Sequence, residues 1–366
     1  MPVQSKKKKI CIVAISLGKG GVERSCAMLS RMLDPLYDVH IVILNSHISY
    51  PYEGTLFDLG AFKTENDTLL KRLRRFIKLR KYLKEQAFDV IIDNRPKNNY
   101  KRELFYRRYL YRGFNTIYVS HSARAATYVT ESPGKFARLC DTNKANVAVS
   151  HFIEDEVLRS NGFTNTTTIH NAFDPAWSEA KGDMPDNLSG KQFILSYGRI
   201  VDSIKDYSFL IEAYEASRLW EKNILLVIMG DGPDWDIISE KTGSSMASEF
   251  IHMIPFMKDP FEVIRNAHFV TLTSFYEGFP MVLVESLAVG TPVIALDIAS
   301  GPSEIIRDGE NGLLVSKRSI PLFVEAMHRM IEDENLYKQC KRSAKASIAP
   351  FSMESIARKW DKVLEL

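Results

Sequence analysis

Phe269-Val-Thr-Leu-Thr-Ser-Phe-Tyr-Glu-Gly-Phe-Pro-Met-Val-Leu-Val-Glu-Ser-Leu-Ala-Val-Gly-Thr-Pro-Val-Ile-Ala-Leu-Asp297 is the stretch on which the fold turns. Two short runs, Phe269–Ser274 and Pro292–Asp297, are uncharged up to Asp297 and built on Phe, Val, Leu, Ile, Ala and Thr, so as strands they are covered on both faces. Between them a Glu-Gly turn leads to Pro280, whose fixed φ and missing N–H suit the first turn of a helix. Strand, helix, strand in one direction is a parallel βαβ unit.

The same alternation runs along the whole chain. In the first half, strands are expected at Lys8–Ile15, Val39–Leu44, Asp89–Asp93, Thr116–His121, Asn146–His151 and Thr167–Asn171. In the second half they are expected at Phe193–Gly198, Leu225–Gly230, Phe250–Pro255, Phe269–Ser274, Pro292–Asp297 and Leu313–Val315. Two successive alternations predict an α/β chain of two doubly wound, Rossmann-like domains, each with its ligand edge at the carboxyl ends of its strands. The expected domains are residues 1–174 and 188–350, joined by the linker Phe173–Asn187. The tail, 353–366, reads as an amphipathic helix packing back on the first domain through Ile356, Trp360, Val363 and Leu364. Two such domains are expected to face each other across a cleft that holds substrate.

Composition narrows the class. The 366 residues are 45% hydrophobic and 25% charged, as in a soluble globular protein of two domains. No run of about 18 apolar residues offers a membrane span. The polar, basic start has no signal-peptide core, so a cytoplasmic location is expected. Cys11, Cys26, Cys140 and Cys340 are scattered without a CxxC pair, which argues against a zinc site and a disulfide framework. Charge is unevenly spread. Residues 1–170 carry 28 Lys+Arg against 16 Asp+Glu, a net of +12; residues 171–366 carry 20 against 29, a net of −9. The first half is therefore expected to face something anionic.

The Glu-Gly turn carries the chemistry. Backbone N–H groups around Gly278 and Phe279, at a helix start, suit a phosphate or an electron-rich hydroxyl. Glu277 lies at the mouth of the turn and Glu285 within the helix; eight helical residues span about 12 Å. That exceeds the roughly 5 Å pair of a retaining glycosidase and suits the two ends of an extended ligand, such as a nucleotide sugar. Glu285 is flanked by Val284, Leu287 and Ala288, where a carboxylate needs a partner; a ribose diol would serve.

Glu277-Gly-Phe-Pro through Glu285, Ala288-x-Gly-Thr-Pro-Val-Ile294, Glu304-Ile-Ile and Asp308-Gly-Glu-Asn-Gly-Leu-Leu-Val315 form one series of blocks. Ser196-Tyr-Gly-Arg199 with Lys205, Ile228-Met-Gly-Asp-Gly-Pro233 and Gly20-Gly-Val-Glu23 extend it towards the start. In this order they resemble the retaining family 4 glycosyltransferases of GT-B fold (glycosyl transferases group 1). The resemblance implies a hexosyltransferase using a nucleotide-diphosphate sugar, a UDP-sugar, and working with retention and without a metal. Arg199 and Lys205 would neutralise the donor diphosphate as its charge grows in the transition state. Glu285 would hold the ribose and Glu277 the donor sugar, while Gly278, Phe279 and Pro280 complete the donor site. Gly20 and Gly21 would let donor phosphate or acceptor approach the backbone closely. His121, in Val119-Ser-His-Ser122, aligns with a histidine set near the transferred sugar. Glu277, His121, Arg199 and Lys205 are thus the catalytic set, acting by electrostatics and positioning rather than through a covalent intermediate. Met253-Ile-Pro-Phe256 stands where the family often has an aromatic-Leu-Gly turn beneath the base, so the base contacts do not carry over.

Two motifs point elsewhere. Asp234-Trp-Asp236 spells a metal-binding D-x-D, but it follows Gly232-Pro233 at a helix start, where acids suit the dipole. Lys19-Gly-Gly-Val22 lacks the Gly-Lys-Ser/Thr of an ATPase phosphate loop.

Leu69–Glu85 reads as a basic amphipathic helix with Leu69, Leu73, Phe76, Ile77 and Leu83 in its apolar stripe. Residues 101–114 mix Arg107, Arg108 and Arg112 with Phe105, Tyr106, Tyr109 and Tyr111. Both segments are expected to lie on an anionic membrane surface, making the protein peripheral on the inner face of the cell membrane. No nucleic-acid-binding signature accompanies them. The expected reaction moves a hexose or N-acetylhexosamine onto a glycan or glycolipid acceptor, a lipid-linked or surface-polysaccharide precursor. The alternative is a non-catalytic sugar- or nucleic-acid-binding protein on the same fold, which need not keep Glu277, Arg199 and Lys205 together.

Overall fold

The computed structural model describes residues 7–18, 20–64, 66–179 and 182–365. Lys19 of the Lys-Gly-Gly-Val stretch, Ala180 and Lys181 of the expected linker, and the terminal Leu366 lie outside the described residues. The chain divides into two units, Met1–Ala172 with Met353–Leu366 and Phe173–Ser352.

The first unit holds β1 (Lys9–Ala14), β2 (Asp38–Ile43), β3 (Thr55–Asp58), β4 (Val90–Asp93), β5 (Asn115–Ser120), β6 (Ala145–Ala148) and β7 (Thr166–Thr168). They form one sheet in the order β3-β2-β1-β4-β5-β6-β7, with every neighbouring pair parallel. The second unit holds β8 (Phe193–Tyr197), β9 (Leu225–Met229), β10 (Ile251–Ile254), β11 (Val270–Leu272), β12 (Val293–Leu296) and β13 (Gly312–Val315). Their order is β10-β9-β8-β11-β12-β13, again parallel throughout. Each sheet reverses its strand order once, between β1 and β4 and between β8 and β11. The crevice beyond the strand ends at such a reversal is where open α/β sheets bind ligands.

The strands expected from their apolar runs are present, mostly shortened by a residue or more at their ends. β6 stops at Ala148 and a helical segment begins at His151, where the sequence reading continues the strand. β3 has no counterpart in that reading. It is an edge strand with no buried residue, so it carries no apolar run to be found.

In the second unit, Ile194, Leu226, Ile228, Phe269 and Ile294 of the sheet pack with Leu210, Tyr214, Phe323 and Met327 of its helices. Burying each such side chain stabilises by roughly 1.5–3 kcal/mol. The presumed linker is not a free tether. Trp177 is buried and stacks on Phe261 at 5.3 Å. In the first unit, the closing helix Met353–Glu365 buries Ile356, Trp360 and Leu364. Ile356 and Trp360 line a small cavity together with Leu29 and Met32 of the helix Gly21–Leu33.

The basic helix spans Leu69–Gln86, but its buried face is Arg75, Leu79 and Leu83. The proposed stripe is largely outside: Leu69 is 82% exposed, Leu73 48% and Ile77 49%, with Leu70 beside them at 71%. Arg75 can turn inward because the Asp67 carboxylate binds its guanidinium. In the second basic segment Tyr106 and Tyr111 are core residues and cannot serve as interfacial aromatics; Tyr109 is 40% exposed.

Candidate active site

Three loops meet at the reversal of the second sheet. After β8 the chain leaves through Gly198 (φ +144°) and Arg199, and after β9 it leaves through Gly230 (φ +155°). A Cβ at Gly230 would lie 1.8 Å from the Gly198 carbonyl oxygen, and one at Gly232 would lie 1.9 Å from that of Ile200. Only glycine permits this stacking of backbone on backbone, and Ile200 N–H closes it on the Asp231 carbonyl at 2.9 Å. Asp234, the first acid of the D-x-D, accepts the Asp202 N–H at 2.7 Å and so caps the short helix Asp202–Lys205.

That helix ends at Asp206 in the left-handed region (φ +52°), which turns Lys205 toward the loop after β11. Thr273 donates to the Lys205 carbonyl at 2.9 Å, and Phe275 N–H donates to that of Ile204 at 2.8 Å. Lys205 Nζ then reaches Glu277 Oε1 at 2.6 Å, and Ser274 Oγ donates to the same oxygen at 2.7 Å. Both side chains of the ion pair are largely buried, 18% and 14% exposed. Glu277 Oε2 has no partner among the described residues. Arg199, on the loop that leaves β8, is exposed and equally without a side-chain partner among the described residues.

Arg318, unremarked in the sequence, braces this turn. Its guanidinium donates to the carbonyls of Thr273 (2.9 Å) and Ser274 (2.7 Å), pairs with Asp206 and lies 4.0 Å from the Phe275 ring centre. Beyond Glu277, the Gly278 carbonyl accepts from Ser300 Oγ at 2.8 Å, and the buried Phe279 meets Phe351 edge-on at 5.1 Å. Pro280 directly precedes the helix Met281–Val289. A Cβ on Gly301 would sit 2.3 Å from the Pro280 ring, so that helix start is tightly enclosed. Glu285, in mid-helix, is 3% exposed. The sequence left its carboxylate in need of a partner. The structure supplies one in Tyr197, whose hydroxyl lies 2.9 Å from Oε2 and 3.0 Å from the Val282 carbonyl.

A second cluster occupies the reversal of the first sheet. Gly20 (φ +141°) precedes the helix Gly21–Leu33, and its N–H donates to the Tyr50 hydroxyl at 3.3 Å. Among the described residues nothing lies within 4 Å of a Cβ placed on Gly21, so their packing does not demand that glycine. His121 directly follows β5 and is 8% exposed. Its Nε2 lies 2.9 Å from Asn94 Oδ1, on the residue after β4. Burial, and secondarily the Lys97 cation, push the imidazole down to about 3, so the ring is neutral at physiological pH.

Next to Asn94 four charges are buried together. Asp93 and Glu103 are 0% exposed, Arg95 2% and Lys97 1%. Arg95 donates to Asp93 Oδ2 at 2.6 Å and to Glu103 Oε2 at 3.1 Å, and its guanidinium lies 3.4 Å from the Tyr106 ring centre. Lys97 donates to the carbonyls of Asp93 (2.9 Å) and Arg95 (2.7 Å). Two acids and two bases so arranged satisfy one another, as buried charges must. The signal was present in Asp93-Asn-Arg-Pro-Lys97, three ionisable residues in five directly after an apolar run.

Chemically, the second-sheet site offers a free guanidinium and an ammonium for an anion, one open carboxylate oxygen for a hydroxyl, and a buried carboxylate on the adjoining helix. The first-sheet cluster offers a neutral imidazole.

Residues 19–177 match the family model described as Glycosyltransferase Family 4, and residues 183–347 match the one described as Glycosyl transferases group 1. Among curated proteins, the chain is 29% identical over 369 residues to the N-acetylgalactosamine-N,N'-diacetylbacillosaminyl-diphospho-undecaprenol 4-alpha-N-acetylgalactosaminyltransferase of Campylobacter jejuni; the match covers 96% of this chain and 98% of that one. Among solved structures, TarM superposes with a TM-score of 0.80 at 14% identity over the full length of both chains. Anabaena HepE, solved with UDP-glucose, gives 0.77 at 17% identity over 98% and 99%. These likenesses place the two doubly wound units in the GT-B architecture.

Proposed function

We propose, on the premise that this chain is a GT-B glycosyltransferase of the group 1 family, that it moves a hexose or N-acetylhexosamine from a UDP-sugar to a glycan acceptor with retention and without a metal. One observation carries the reading: the Lys205–Glu277 ion pair lies at the carboxyl edge of the second sheet, where its strand order reverses, and Arg199 stands on the loop that leaves β8 at the same edge. Arg199 and Lys205 take the donor diphosphate and stabilise the leaving group as its charge grows. Glu277, held by Lys205 and Ser274 through one oxygen, presents the other to a hydroxyl of the donor sugar. Glu285, oriented by Tyr197, takes the ribose. His121 belongs to the first-unit cluster and offers a neutral hydrogen-bonding group to substrate. Two cations and a set of fixed donors do the work of a metal, so no metal step is needed.

The activity of the Campylobacter relative, on a diphospho-undecaprenol-linked acceptor, supports an acceptor of the same chemical kind. The UDP-glucose bound to HepE supports a UDP-linked donor. The exposed ridge of Leu69, Leu70, Leu73 and Ile77 on a helix rich in Arg and Lys supports peripheral contact with an anionic bilayer that carries the acceptor. Proton NMR of the product from a UDP-α-sugar tests the stereochemistry. An α-anomer is expected, and a β-anomer as first product contradicts retention.

A further inference from the structure

We propose that Asn94 is a positioning residue that sets the tautomer of His121, its Oδ1 accepting the Nε2 proton so that Nδ1 is left as a bare acceptor for substrate. The proposal rests on the reading that His121 belongs to the catalytic set. The 2.9 Å contact joins Nε2 to a carboxamide oxygen, which has no hydrogen to give, so the imidazole must donate. A ring depressed to about 3 by burial and by Lys97 carries a single proton at physiological pH. With that proton on Nε2, Nδ1 holds a lone pair.

Nδ1 is buried and has no hydrogen-bond partner among the described residues, and the same is true of Asn94 Nδ2. Orphaned buried polar atoms are rare in native proteins, and two on adjoining residues call for an explanation. Asn94 and His121 both line a cavity of about 10 Å³ shared with Ser25, His170 and Asn171, room for about one water. Ser25 Oγ is already committed to Asn171 Oδ1 at 2.7 Å. A hydroxyl that donates to Nδ1 meets the ring's unfilled capacity.

Asn94 is well held for the task. Its N–H donates to the Val13 carbonyl at 2.9 Å, tying it to β1, and the buried pair Asp93–Arg95 flanks it on both sides. The buried charges therefore fix the residue that fixes the ring. The titratable groups around the imidazole are Asp93, Arg95 and Lys97 on the β4 loop, Tyr128 with its ring centre 6.1 Å away, and His170 across the cavity. Glu23 and Cys26, on the helix Gly21–Leu33, act on Tyr128. Of these, Lys97 is the cation that acts on the ring, and it opposes protonation.

Asn94→Asp keeps an acceptor against Nε2 but adds a negative charge, which favours the imidazolium and raises its pKa. Protonation then converts Nδ1 from acceptor to donor, and the active form is lost as pH falls through the raised value. Long-range ¹⁵N–¹H spectra of the imidazole-labelled protein read the tautomer with no substrate present. The parent should show the proton on Nε2 and no His121 titration between pH 5 and 8, and Asn94→Asp should titrate within that window. In turnover, the parent should vary by less than about twofold between pH 8 and pH 6, whereas Asn94→Asp should fall by about tenfold. Asn94→Leu should mix the tautomers and lower kcat at every pH without adding a pH dependence. A proton on Nδ1 in the parent, or an Asn94→Asp protein with parental spectra and pH profile, overturns the proposal. If the parent transfers no sugar, the functional reading fails while the spectra still decide the pairing. If it transfers sugar and Asn94→Asp matches it in both readouts, the positioning role fails alone.

Discussion

Replacing Glu277 by Gln removes a charge and almost nothing else. The carboxylate is 14% exposed and receives Lys205 Nζ at 2.6 Å and Ser274 Oγ at 2.7 Å on one oxygen. Glutamine can keep the Ser274 bond through its carbonyl oxygen but cannot pair with Lys205 as an anion. Its amide nitrogen, where Oε2 was, donates and can no longer accept from a sugar hydroxyl. A hydrogen bond to a charged group is worth about 1.5–3 kcal/mol, so a contact felt only in the transition state costs roughly 10- to 150-fold in kcat. Lys205, freed from its partner, stays available to the diphosphate, so affinity for UDP should remain at or above the parental value. Glu285→Gln should behave differently. It keeps the contact with Tyr197 and loses charge at the ribose, raising the donor KM by about tenfold with kcat near parental. Calorimetry with UDP alongside initial rates separates the two. A Glu277→Gln protein that loses UDP affinity in proportion to its rate would refute this placement of the donor, as would parental kinetics in both variants.

Turnover should persist in EDTA, measured as sugar transfer before and after chelation; full loss restored by manganese would make the acids of Asp234-Trp-Asp236 ligands after all. Replacing Leu69, Leu70, Leu73 and Ile77 together by Ser should abolish flotation with anionic vesicles and leave the thermal midpoint unchanged, because these side chains already face solvent. Equal flotation of variant and parent would refute the membrane contact. Gly230→Ala should cost about 1–3 kcal/mol in urea unfolding and weaken UDP binding, because its Cβ would lie 1.8 Å from the Gly198 oxygen and displace the Arg199 loop. A parental urea midpoint would mean that the two loops yield without cost.

The sequence made legible whatever is written in local period. Strands buried on both faces announced themselves as apolar runs, and the succession of such runs with helices gave two parallel sheets. β3 escaped because an edge strand with no buried residue has no such run. The inward face of the Leu69–Gln86 helix was not legible, for a different reason. Nothing in its own period says that Asp67 will neutralise Arg75 and so allow an arginine to face inward while leucines face out. Site residues followed the same division. Glu277, Lys205 and Arg199 lie in recognisable blocks. Tyr197, which holds Glu285 from 88 positions away, and Arg318, which grips Asp206 from 112 positions away, depend on where the sheet brings separate strand ends together. Asn94 was equally hidden, since its importance lies in a contact with His121, 27 residues later.

The proposed binding and cleavage of a UDP-sugar at the second-sheet site can be followed as UDP release from a panel of UDP-hexoses and UDP-N-acetylhexosamines by the purified protein, with Lys205→Ala and Glu277→Gln in parallel. Release is expected from at least one donor, with sugar appearing on a lipid-diphosphate-linked glycan when one is supplied, and a loss of about 10-fold or more in each variant. No release from any donor by a protein that also fails to bind UDP, or release unchanged in both variants, would contradict it.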